Sequence, residues 1–121
     1  MKLFLFAFLT GALLATSAST TPAKHPFLPY EATAYSCSVE EQTERCLNKI
    51  GSFPENNLSI ACPPHLTLGT RLEIRSEIVR GIFVCDDRGS AIKGRRVDIY
   101  MSDRRRALNF GRRMVMVRVL D

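Results

Sequence analysis

The apolar positions of this chain fall into two regimes. From Leu3 to Ala15 they run together, LFLFAFLTGALLA, behind the single cation Lys2 and ahead of the small, polar run Thr16 to Thr21. A cationic start, a short apolar segment and small residues at a cleavage point form the pattern of an export signal. The run is shorter than the ~20 apolar residues a spanning helix needs. Cleavage is expected after Ala18, and no cysteine lies there to serve a bacterial lipid anchor.

Beyond Tyr30 the pattern breaks into short segments with a period of two. Ala32 to Ser36, Ser59 to Cys62, Thr70 to Arg75, Val79 to Cys85, Val97 to Met101 and Met114 to Leu120 read as strands, divided by turn formers such as Pro63, Pro64 and Gly69. Alternation is clearest in MVMVRVL, which sets Met114, Met116 and Arg118 on one face and Val115, Val117 and Val119 on the other. Both apolar sets are expected in the core, with the methionines packed beneath a helix. Val39 to Asn48 has the makings of one or two helical turns, with Ser38 as N-cap and Glu41 completing a capping box. A second short helix is expected to run from a Ser102 cap to about Asn109, with Gly111 as its left-handed exit. Six short strands with one or two short helices point to an all-β fold, a small closed barrel in which no strand edge is left exposed.

Size and cysteines sharpen this picture. Of 121 residues, removal of 1–18 leaves 103, enough for one domain at 31–121 behind a proline-containing linker at 19–30. Such a domain has a thin core. Cys37, Cys46, Cys62 and Cys85 are an even number in an exported chain, which reads as two disulfides. Gaps of 8, 15 and 22 residues do not match paired zinc ligands, and only His25 and His65 could be added, so no metal and no cofactor are expected. Spacing leaves three connectivities open.

The side-chain balance is +5, or +4 once Lys2 leaves with the signal, and the excess lies late: ten Lys or Arg residues stand between Arg88 and Arg118. An anionic polymer is the expected neighbour. Nucleic acid is not, because the chain is exported, has no Trp and places no aromatics between its arginines. Gly89 to Gly94 lacks the Lys-Ser/Thr ending of a phosphate loop.

Within this basic third stand Asp86, Asp87 and Asp98. Strict alternation places Cys85 and Asp87 on one side of their strand and Val84 and Asp86 on the other. The loop Arg88 to Gly94, with a glycine near each end, can bring Asp87 beside Asp98. Two carboxylates held close raise the pKa of one and leave an acid protonated near neutral pH. Asp86, on the opposite face, is a poor candidate. The plain structural alternative is that both aspartates cap tight loops and pair with Arg88, Arg95 or Arg96.

The run DRGSAIKGRRVDIYMSDRRRALNFGRRMVMVRVL resembles the three-aspartate (3D) domain, whose motif is roughly D-x-G-x-A-I-K-G-x-x-x-D, then a small helix, A-x-x-F-G and a final strand. LGTRLEI and ATAYS are similar to the family's turn-and-strand and to its opening strand, so the resemblance spans Ala32 to Leu120. It implies a six-stranded double-psi β-barrel, shared with murein transglycosylase A and the stationary-phase survival proteins of spore formers. It also implies an activity. A lytic transglycosylase cleaves the β-1,4 bond between N-acetylmuramic acid and N-acetylglucosamine in peptidoglycan and leaves 1,6-anhydro ends. By the same resemblance Asp98 is the general acid with Asp87 beside it. Gly89, Lys93 and Arg95 are candidate substrate contacts, and Lys93, Arg95 and Arg96 either meet stem-peptide carboxylates or are plain solvated charge. The expected partner is peptidoglycan and the expected state a monomer. The place of action is the periplasm or cell envelope, with outer-membrane association or release both open.

Three positions depart from the family. Cys62 stands where the first aspartate belongs, Arg88 where Thr is usual and Ser90 where Gly is. With Cys62 and Cys85 both near the implied cleft, the resemblance pairs Cys62 with Cys85 and leaves Cys37 for Cys46. The lost carboxylate keeps a second reading open, that of a non-catalytic peptidoglycan-binding or wall-loosening barrel.

Overall fold

In every long strand of this protein the two-residue alternation sends one apolar set inward. A computed structural model describes residues 11–12, 25–37 and 46–120. All of the expected signal but residues 11–12, most of the expected linker and the residues of the expected first helix up to 45 lie outside them. The elements are β1 (Leu28–Tyr35), β2 (Ser59–Ala61), β3 (Arg71–Arg75), β4 (Arg80–Asp87), β5 (Arg96–Tyr100), α1 (Arg104–Phe110) and β6 (Arg113–Val119). Inward positions are Tyr30 and Ala32 of β1, Leu72 and Ile74 of β3, Phe83 and Cys85 of β4, Val97 and Ile99 of β5, and Val115 and Val117 of β6. Together with Ile60 and Cys62 they make one core.

The strands close into a barrel in the order β1-β5-β2-β4-β3-β6. Neighbours in space are mostly not neighbours in sequence: β1 runs parallel to β5, and β2 parallel to β4. The remaining four pairings are antiparallel. This interleaved, closed six-strand barrel agrees with the all-β, double-psi expectation. Both disulfides are those implied by the family, Cys37–Cys46 and Cys62–Cys85, with Cα atoms 6.0 and 5.5 Å apart.

Several local expectations change. Strand β1 opens at Leu28, three residues ahead of the expected domain start, because Leu28, Pro29 and Tyr30 pair with Val117, Met116 and Val115. Just before it, the Phe27 ring lies between the Arg75 and Arg118 guanidiniums, 4.6 and 4.3 Å from its centre. Met114 and Met116 are not core. They are 61% and 40% exposed, because Val115 and Val117 fill the interior and α1 lies against β1.

The helix cap is Asp103, whose Oδ1 accepts from the Arg106 N–H, and not Ser102. Ser102 is engaged elsewhere, its N–H donating to Asn56 Oδ1 at 2.7 Å. Gly111 has the positive φ expected of an exit residue, but its ψ of −135° leads straight into β6 and not into the left-handed helical region. Among the described residues no helix is long and apolar enough to cross a membrane.

The facing of β6 is testable by urea unfolding. Val117→Ala is expected to cost about 2 kcal/mol, from lost burial and the cavity left behind. Met114→Ala is expected to stay within about 0.5 kcal/mol of the parent. Equal losses would return the methionines to the core.

Candidate active site

Asp98 lies between the inward residues Val97 and Ile99, so its carboxyl turns to the outer surface of β5. The parallel register sets Thr33 opposite it, and the Thr33 hydroxyl donates to Asp98 Oδ1 at 2.9 Å. On its other side Ala61 of β2 pairs with Asp98, and the same Ala61 pairs with Asp87 of β4. One small residue therefore separates the two acidic strand positions. Two strand spacings put their Cα atoms roughly 9.5 Å apart, a gap that the two side chains shorten.

Regular alternation would have carried Asp87 inward with Phe83 and Cys85. The structure avoids this with a bulge: Ile60 pairs with Cys85 but Ala61 pairs with Asp87, so Asp86 is an extra residue in β4. Cys85 and Asp86 are consequently buried in succession, at 0% and 6% exposure. Asp87 emerges on the outer surface, where its Oδ2 accepts from the Tyr35 hydroxyl at 3.2 Å and its Oδ1 from the Arg88 N–H at 2.8 Å. The expectation that Cys85 and Asp87 share a side is thus corrected, while Asp86, expected on the face opposite Asp87, is buried where Asp87 turns outward.

The electrostatics favour a protonated acid. Burial pushes the Asp98 carboxyl above the ordinary carboxylate range; the negative charge of Asp87 adds to this, and the Thr33 hydrogen bond opposes it. Tyr35 is raised well above its ordinary value, first by burial and then by Asp87, with Asp86 and Asp98 contributing, so its phenol stays a donor. The basic residues do not quench this acidity. Arg96 and Arg112 pair with Glu31, each at 3.0 Å, while Arg118 pairs with Glu73 at 2.9 Å. Arg88 turns its guanidinium to the carbonyls of Cys62, Pro63 and Leu66. Among the described residues Asp87 and Asp98 are bonded by hydroxyl and N–H donors, where the structural alternative had paired them with Arg88, Arg95 or Arg96.

Other expected site residues are placed less centrally. At Gly89 a Cβ would lie 3.0 Å from the buried Ile92 side chain, which would have to give way, and the Ile92 N–H closes the turn on the Gly89 carbonyl at 3.0 Å. Lys93 and Arg95 are exposed on that loop. Cys62 is fully buried, with its N–H on the Asp87 carbonyl at 3.2 Å, so the disulfide ties β2 to the acidic strand from inside the core. His65 is exposed. Among the described residues no cluster of three or more His, Cys, Asp or Glu side chains could hold a metal. Thr33 and Tyr35 were missed from sequence. Their signal was the two-residue step in ATAYS, which sets a hydroxyl and a phenol on one face, but their partners lie 65 and 52 residues away.

The family profile described as 3D domain matches residues 58–121, more than half of the chain, and covers both aspartates. No curated protein matches the chain.

The raised Asp98 carboxyl has a consequence for stability. A group that holds its proton more tightly when folded contributes stability that is complete below its unfolded value and is lost as pH rises through the folded one. Asp98→Asn, which keeps an acceptor for Thr33, is therefore expected to raise the melting temperature at pH 7. The gain should shrink towards the ordinary carboxylate value of 3.8. Thermal unfolding at pH 7 and pH 4 checks this, and a gain independent of pH contradicts it.

Proposed function

The chain belongs to the 3D-domain family, and from that premise we propose that it is an exported lytic transglycosylase of peptidoglycan, with Asp98 as its acid. The observation that carries the reading is the half-buried Asp98 carboxyl, held by Thr33, raised by burial and by Asp87, and left without a cationic partner among the described residues. Family membership supports action on the cell wall. The two disulfides are compatible with an oxidising, extracytoplasmic compartment.

In this reading protonated Asp98 donates to the glycosidic oxygen between N-acetylmuramic acid and N-acetylglucosamine as the C1–O bond breaks. The Asp98 carboxylate then takes the proton of the muramyl C6 hydroxyl as that oxygen bonds to C1. The anhydro ring closes, Asp98 is restored to its acid form, and no water is consumed. Asp87 lends negative charge to the oxocarbenium-like transition state, positioned by the Tyr35 phenol and the Arg88 N–H. A hydrolase would need its second carboxylate free to attack or to activate water. Lys93 and Arg95, exposed between Asp87 and Asp98 in the chain, meet stem-peptide carboxylates. The protein acts as a monomer in the periplasm or cell envelope.

A non-catalytic wall-binding barrel is the competing reading. It is favoured by the burial of residue 62 as a half-cystine, which leaves no carboxylate at that position. Purified sacculi separate the two. The mature protein is expected to release anhydro-muropeptides detectable by mass spectrometry, Asp98→Asn to lose at least about 100-fold, and Tyr35→Phe to lose less while staying folded. Co-sedimentation with sacculi and no release would establish the binding module instead.

A further inference from the structure

We propose that the end of the barrel beyond Tyr100 holds a second binding site, an arginine-edged pocket for the carboxylate-bearing peptide branch of the glycan. The inference rests on the transglycosylase reading above and places one part of that substrate. Two hollows meet at this end. The first, of about 80 Å³, lies between Asn56, Arg80, Tyr100 and Arg106. The second, of about 120 Å³, is bounded by Phe110 and Arg113, while Ile78, Met101 and Arg106 line both. The first could take several waters, and so has room for a carboxylate.

The place of the pocket relative to the acid follows from β5. Asp98 is the middle residue of that strand; Lys93 and Arg95 precede the strand, and the pocket lies past its other end. Tyr100 stands two residues on from Asp98, roughly 7 Å along the strand. Its ring is 5.5 Å from that of Tyr35, the donor to Asp87. A glycan lying along β5 over Asp98, with a peptide branch on each disaccharide, would therefore meet cations at both ends of the strand.

The arginines of this end differ from those elsewhere on the barrel. Arg96, Arg112 and Arg118 are neutralised by Glu31 and Glu73. Arg80 and Arg113 are each held through Nε, on the Ser76 carbonyl at 3.1 Å and the Phe110 carbonyl at 2.9 Å. Arg106 is bonded through its backbone, whose N–H takes up the one acid of the helix cap, Asp103. Among the described residues no carboxylate forms an ion pair with any of these three. Their forked N–H ends are left open, in the geometry that receives a carboxylate. The opposite wall is fixed in advance, because Asn56 exchanges two hydrogen bonds with Ser102. Ile78, 50% exposed, gives both hollows an apolar side. A phosphate polymer would satisfy the arginines but not that surface; a short peptide with carboxylates and small apolar side chains satisfies both.

NMR titration of the mature protein with the dipeptide L-alanyl-γ-D-glutamate is expected to shift the Ile78 and Tyr100 amides and the Arg80 and Arg106 side-chain N–H signals. Arg80→Gln and Arg106→Gln are each expected to weaken that binding about threefold to tenfold, as is amidation of the dipeptide's carboxyls. Arg104→Gln, on the same helix but outside both hollows, is expected to leave it unchanged. If glycerol 3-phosphate shifts these signals at lower concentration than the dipeptide, the site is one for phosphate and the peptide assignment is overturned. Signals unmoved by both probes overturn the pocket itself, and this mapping on the wild type needs no variant to fold. With sacculi, Arg106→Gln is expected to raise the half-saturating amount of substrate and to keep the maximal rate of anhydro-muropeptide release. A wild type that releases no anhydro product would sink the catalytic reading alone, since the titrations need no turnover.

Discussion

Two residues of β2, Ile60 and Ala61, face three of β4, Cys85 to Asp87, and that surplus residue decides which way Asp87 points. A bulge interrupts the ladder and persists only when its surroundings hold it. Here the Cys62–Cys85 disulfide ties the strands on the core side, Ser59 binds the Asp86 carboxylate, and Arg88 gathers three carbonyls of the following loop. The disulfide closes a loop whose entropy alone is worth about 3 kcal/mol on the chain-entropy model, and hydrogen bonds from a guanidinium contribute about 1.5 to 3 kcal/mol each. In a domain with a thin core these are large sums. They are concentrated at the one place where the backbone leaves its regular path.

The same economy governs charge. A chain with net charge +5 would be expected to smother its few aspartates with arginine. Instead Glu31 and Glu73, on the outer surfaces of β1 and β3, take up Arg96, Arg112 and Arg118, and Arg88 is spent on carbonyls. Asp87 and Asp98 keep hydroxyl and N–H donors, which orient a carboxylate without forcing it to stay ionised. Burial can then raise the Asp98 carboxyl. A carboxyl raised in this way costs stability once pH exceeds its unfolded value.

Much of this was legible in the sequence, and the rest failed for identifiable reasons. The eleven-residue step from Asp87 to Asp98 and the alternation in VDI and MVMVRV located the acids and most strands, because period-two patterns are local. The bulge was not legible. No glycine or proline marks Cys85-Asp86-Asp87, and a parity rule applied through a hidden extra residue gives the wrong side for everything beyond it. Alternation likewise separates Met114 and Met116 from the valines without saying which set is inside; that is settled by what covers β6 from outside. Ser102 and Asp103 are equally good caps by type, and only the distant Asn56 decides between them. Thr33 and Tyr35 join the site through barrel closure, which no short window contains.

The central claim is that the bulge turns Asp87 onto the surface of Asp98, and that the two together keep Asp98 protonated above the ordinary carboxylate range. Carboxyl-carbon NMR titration of Asp98 in the wild type and in Asp87→Asn tests it most directly. The account predicts an Asp98 inflection above 3.8 in the wild type that moves down, without returning fully, when the Asp87 charge is removed and burial remains. An Asp98 that titrates at the ordinary carboxylate value, or one indifferent to Asp87, would contradict it.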